Sequence, residues 1–171
     1  SHKRAEDILG APDNRFVSLG SDGEMTINLG TKVIVNGSGD DFALRTIDQS
    51  VDDTDQSGED LKVSVSQDGT TFKTINPRST DEYRYDLSKA KMSWIRYIRL
   101  TDESSSVKAK APGVDIDAIC LLNIGVQLPN RVNMTIGTQS AFATEYVTVD
   151  VTKVFSKKPS IDNCSEPEPT P

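Results

Sequence analysis

The side chains best suited to chemistry in this 171-residue chain are carboxylates. Asp53-Thr54-Asp55-Gln56-Ser57-Gly58 places oxygen side chains at alternate positions and a glycine at the sixth. That is the first half of a calcium loop, in which the chain wraps a hard cation. The second half departs from the pattern, because its twelfth position is Ser64 rather than a bidentate Glu and no helices flank it. Asp53, Asp55 and Ser57 are therefore candidate calcium ligands, with Glu59 or Asp60 and water completing the shell. The competing reading is a solvated acidic loop that keeps the surface soluble.

Partners for catalysis are scarce. The only histidine is His2, at the chain end, so a histidine base or a histidine zinc site has no residue to use. Ser and Asp without a base do not make a nucleophile. Among 26 acidic residues no pair is marked by its setting as the two carboxylates of a glycosidase. The chain reads as non-catalytic. Its net charge of -7 has the wrong sign for neutralising phosphates, which argues against nucleic acid. No run approaches the 18 or so apolar residues of a membrane helix, so membrane insertion is not expected.

Aromatic residues are only 6% of the chain, which leaves few to stack on sugar rings. Trp94 and Tyr97 fall in a strand candidate and read as core, as do Phe16, Phe42 and Phe72. Tyr83 and Tyr85 alternate with Arg84 and are the better exposed candidates for ligand binding. Cys120 lies in an apolar stretch and Cys164 in the tail. In an oxidising compartment they would pair across a loop of about 45 residues, worth roughly 3–4 kcal/mol. The alternative is a buried free Cys120 with a second thiol in the tail.

The elements that must position these groups are strands. Period-two alternation recurs between turn signals: Leu61, Val63 and Val65; Met25, Ile27 and Leu29; Val132, Met134 and Ile136; Val147, Val149 and Val151. Each run predicts a strand with one buried and one wet face. Asp68-Gly69 predicts a tight hairpin turn after residue 66. Residues 32–35, 42–47, 94–100 and 116–124 lack clean alternation, as central strands do. Only 87–92 suggests a helical turn, capped by Asp86 or Ser88. Stretches 48–60 and 103–113 read as loops, and the tail from 157, ending Glu-Pro-Glu-Pro-Thr-Pro, reads as a linker or chain end. Short strands between Gly, Ser and Asp clusters predict an all-β antiparallel sandwich over 1–125. Residues 126–156 would add two strands to the same domain, since two strands alone are marginal in water.

An ordered set of motifs carries a family resemblance. Leu9–Gly20 reads Leu-Gly-Ala-Pro-Asp-Asn-Arg-Phe-Val-Ser-Leu-Gly, and Gly-Ser-Gly-Asp-Asp-Phe follows at 37–42. Then come Val-Ser-Val-Ser-Gln-Asp-Gly-Thr-Thr-Phe at 63–72, Ile-Arg-Tyr-Ile-Arg-Leu-Thr-Asp at 95–102 and Gly-Val-Asp-Ile-Asp-Ala-Ile at 113–119. Over roughly 5–125 this resembles the discoidin-like, galactose-binding-like jelly rolls of bacterial cell-surface proteins and carbohydrate-binding modules. The resemblance implies a jelly-roll sandwich, an extracellular or cell-envelope location, and a carbohydrate or surface protein as partner. It also implies a structural calcium between the N-terminal segment and the last core strand, which here matches Asp7, Asp13 and Asp117. Asp117 sits beside Ile116 and Ala118-Ile119, where an unpaired carboxylate is costly. A cation, an arginine such as Arg96 or Arg99, or plain exposure would answer that cost.

Overall fold

The alternating runs become strands in a computed structural model that describes residues 8, 12–13, 15–47, 60–78, 83–103, 113–136 and 139–150. For 128–136 and 139–150 the description is of the backbone. In chain order the strands are β1 (Val17–Ser18), β2 (Glu24–Asn28), β3 (Lys32–Val35), β4 (Phe42–Thr46), β5 (Leu61–Ser66) and β6 (Lys73–Thr74). They continue as β7 (Arg84–Tyr85), β8 (Trp94–Ile95), β9 (Tyr97–Asp102), β10 (Asp115–Leu121), β11 (Ile124–Ile136) and β12 (Gln139–Asp150). The helical turn is a 3-10 turn, Leu87–Ala90, and Asp86 is its cap: the carboxylate accepts from the Ser88 amide.

All pairings are antiparallel, in three sheets ordered β1-β10-β4-β7, β12-β11-β3-β8 and β2-β9-β5-β6. The sheets do not close into a barrel, and the fold is an all-β sandwich. Arg96 alone separates β8 from β9, so the second and third sheets meet at a corner there. Leu122 and Asn123 do the same between β10 and β11, joining the first sheet to the second.

One core serves all three sheets. Phe42, Leu44, Ile116 and Ile119 enter it from the first, Ile34 and Ile95 from the second, and Val63, Val65, Ile98 and Leu100 from the third. Each such aliphatic or aromatic side chain contributes roughly 1.5–3 kcal/mol by leaving water. β9 keeps strict alternation, with Ile98, Leu100 and Asp102 inward. β10 is buried on both faces until Leu121, as its lack of clean alternation predicts.

Several expectations change. β5 has no wet face at its C-terminal end, because Ser64 and Ser66 are buried. Each has a polar partner: Ser64 meets the Thr74 hydroxyl at 3.4 Å, and Ser66 accepts from the Asp68 and Gly69 amides at 3.2 and 3.0 Å. The turn at Asp68-Gly69 is wider than a two-residue hairpin, since the ladder resumes at Val65 with Lys73. Only Gly69 of that pair takes positive φ, +77°. The Asp68 carboxylate closes the turn instead. Phe72, expected in the core, is half-buried under the Arg99 guanidinium, which lies 3.8 Å from the ring centroid.

β11 begins inside the sandwich and leaves it. Ile124, Gly125 and Val126 pair with β3, and the Gln127 amide donates to the Thr31 carbonyl at 3.3 Å. From there 128–136 pair with 139–147 of β12 in unbroken register. The two added strands are thus a long hairpin rooted in the second sheet. Among the described residues no helix is long and apolar enough to cross a membrane.

Candidate functional site

The N-terminal segment meets β10 where the family resemblance places a cation. Asp117 is 4% exposed, and its Oδ1 accepts from the Asp13 amide at 3.3 Å. Plain exposure is therefore excluded for Asp117. Neither arginine named as a partner reaches it among the described residues, for Arg99 pairs with Glu24 at 3.4 Å and Arg96 bonds the Gln127 side chain. Asp13 is the weaker candidate, because its backbone and not its carboxylate faces Asp117. Its carboxylate turns outward to the Arg15 amide at 2.9 Å and to the Arg15 guanidinium at 3.6 Å. Asp7 lies outside the described residues, and so do Asp53, Asp55 and Ser57.

Two residues before Asp117, the structure adds a carboxylate that the sequence reading passed over. Asp115 is 4% exposed, and among the described residues its Oδ1 has no hydrogen-bond partner. It pairs across the ladder with Ser18, and burial pushes its carboxyl above the usual range while the Ser18 hydroxyl pulls the other way. The register of β10 against β4 shifts between Ile116 and Ala118, so the strand is irregular at this point. The signal was in the motif itself, Gly-Val-Asp-Ile-Asp, whose two acids lie two apart on one strand. Among the described residues no three His, Cys, Asp or Glu side chains gather as a complete metal cage. What is present is a pair of buried acids, one with an open oxygen, beside the chain that leads back to Asp7.

The tyrosines do not form an exposed sugar platform. Tyr85 is 0% exposed, its ring stacked on Phe42 at 4.7 Å between centroids. That is a correction to its expected exposure: its alternation with Arg84 is real, but its own face is the inner one. Tyr83 is half-buried, packs on the core and accepts from the Leu44 amide through its carbonyl at 2.8 Å. Cys120 is fully buried on β10, and Cys164 lies outside the described residues.

A second acid was also hidden by sequence. Asp41 reads as part of a polar Gly-Ser-Gly-Asp-Asp turn, yet it is completely buried. Its neighbour Asp40 faces Arg78 and Arg84 at 3.5 and 3.9 Å. Comparison of the chain with protein-family models, with curated proteins and with solved structures finds no match.

Proposed function

We propose that the chain is a non-catalytic binding module of the extracellular space or cell envelope, of galactose-binding-like jelly-roll type. In this reading a calcium ion stabilises it, and its loops recognise carbohydrate or a surface ligand. The observation that carries the calcium part is the buried Asp115 Oδ1 left open beside Asp117. Buried carboxylates short of donors are expensive, and a hard cation with oxygen ligands removes that cost. Asp115 and Asp117 are the residues that would hold it, with backbone carbonyls and the Asp7–Asp13 segment supplying further oxygens. The ion would supply charge neutralisation and fix the N-terminal segment against β10.

Thermal unfolding with added calcium and with chelator tests this reading, because an ion that binds only the folded state raises the midpoint by mass action. A midpoint several degrees higher in calcium, lost in Asp117→Ala, supports it. Equal midpoints, with no metal retained through purification, remove the cation.

The long hairpin favours a second reading, a protein-interaction or adhesin domain. Beyond Gln127, β11 has β12 as its only ladder partner among the described residues, so each strand keeps one edge open to another chain. Cross-strand partners Leu128 with Val147, Val132 with Ala143 and Met134 with Ala141 are apolar on both strands. Under this reading, changes in 131–136 abolish partner binding and leave sugar binding untouched.

A further inference from the structure

Between the turn after β5 and the segment that follows the 3-10 turn lies a cleft of about 330 Å³. Gln67, Asp68, Thr71 and Lys73 form one wall, and Lys91, Met92 and Ser93 the other. Both walls are held by hydrogen bonds. On the first, Asp68 Oδ1 takes the Thr70 and Thr71 amides at 2.8 Å each and the Ser66 hydroxyl at 2.9 Å. Those donors hold the Asp68 carboxyl far below the usual carboxylate range, so it remains a carboxylate at any physiological pH. All three bonds go to Oδ1, and Oδ2 takes none of them. On the second wall, Lys91 closes the 3-10 turn with φ 53°, its amide bonding the Leu87 and Ser88 carbonyls.

Charge decides what such a cleft accepts. Among the described residues neither Lys73 nor Lys91 joins an ion pair, although the whole chain carries -7. Two unneutralised ammonium groups therefore flank one fixed carboxylate. A simple anion would be drawn to the lysines and repelled by Asp68. A neutral sugar would leave both lysines unused, and no aromatic ring lines the cleft to stack on its apolar face. The lining asks for one molecule with an anionic group and several hydroxyls. Its anion would meet the lysines, a hydroxyl would donate to Asp68 Oδ2, and Gln67, Thr71 and Ser93 would take the remaining polar edges. The volume is at the small end of ligand pockets, which run to roughly 300–1,000 Å³.

We propose that the cleft between Asp68, Lys73 and Lys91 binds an acidic saccharide, a sugar unit bearing a carboxylate or sulfate. The proposal rests on the carbohydrate part of the preceding reading and names its ligand class and site. Neither Tyr83 nor Tyr85 takes part.

Titration calorimetry of the full chain tests it, with a short oligouronate, its sulfated counterpart, the matching neutral oligosaccharide and free glutamate as probes. The expected result is binding of at least one acidic oligosaccharide, tighter than the neutral one. That binding should weaken as salt is raised. Lys73→Gln and Lys91→Gln should each weaken it several-fold, and the pair should abolish it, with the thermal midpoint held. Lys91→Gly serves as a second variant, since glycine accepts the positive φ at that position without strain. The uronate and sulfate arms identify which anion is read. Neutral sugar bound as tightly as acidic sugar, or acidic binding that survives the double substitution, overturns this site while leaving the carbohydrate reading standing. Preference for glutamate overturns the ligand class. No binding of any saccharide defeats both.

Discussion

The Asn123 side-chain amide donates to Asp41 Oδ1 at 2.6 Å, tying the start of β4 to the bend between β10 and β11. The same oxygen takes the Gly37 amide at 2.7 Å, and Oδ2 takes the Leu87 amide at 2.7 Å. One buried carboxylate thus ties its own turn to two distant segments. Gly37 is required for the approach, since a Cβ there would lie 2.5 Å from the Asn123 amide nitrogen.

Asp41→Ala should be among the most damaging single changes in the chain. It strands two buried donors, the Leu87 amide and the Asn123 side chain, each costing about 1–3 kcal/mol, and releases the Gly37 amide at the rim, so a loss of roughly 2 kcal/mol or more is expected. Asp41→Asn, which keeps the shape and one acceptor, should lose less. Urea unfolding of the two variants measures the order; equal stability of Asp41→Ala and wild type would refute the clamp.

Asp115 makes the opposite prediction for metal-free protein. Its folded carboxyl titrates above its unfolded value because burial opposes the charge. Below about pH 4, the unfolded value, both states are protonated and the group costs nothing. As pH rises from there, the unfolded chain releases its proton first and stability falls until the folded carboxyl has also ionised. In chelator, Asp115→Asn should therefore raise the neutral-pH midpoint and flatten that decline. In calcium the order reverses, with wild type gaining and the variant not. A variant that still gains fully from calcium would place the ion elsewhere.

Tyr85→Phe should be neutral or stabilising by up to about 1 kcal/mol, because a buried hydroxyl without a partner is costly. Among the described residues its oxygen has no hydrogen-bond partner, and burial, with Tyr83 adding to it, holds the phenol well above its usual value. The ring and its stack on Phe42 remain. Sugar binding should be unchanged in this variant; a large loss of it would reinstate Tyr85 as a ligand-binding residue.

The proposed pairing of Cys120 with Cys164 is read by the mass of the intact, alkylated chain before and after reduction. If the bond forms, Cys164→Ser should lower stability by roughly 3–4 kcal/mol, the entropy returned to a long loop in the unfolded chain. No change on reduction would leave Cys120 as a buried small apolar group.

Alternation made part of the third sheet legible: β2 follows the Met25 pattern and β5 opens on the Leu61 one, while β9 alternates strictly although 94–100 showed no clean period in sequence. β1 and β7 were not legible, since two residues are too short to show a period. The parity of a run was also hidden. Tyr83-Arg84-Tyr85 alternates whichever face is inward, and only the Phe42 ring opposite Tyr85 decides it. Asp41 and Asp115 were missed for a related reason. Burial of an acid depends on donors, or their absence, from Gly37, Leu87, Asn123 and Ser18, none adjacent in sequence to the acid it serves.

The pairing of Val17 with Ile116 sets a clock on the birth of this protein. β10 supplies partners to both β1 and β4, and Asn123 completes the hold on Asp41, so the first sheet stays unfinished until the far side of the sandwich has been synthesised. At about 5–20 residues per second, β1 waits on the order of 5–20 s for its neighbour. During that interval the early apolar strands have open edges and no lid. A ribosome stalled before β10 would hold a chain whose first sheet is unfinished, and even past Asn123 the second sheet still waits for β11 to reach β3.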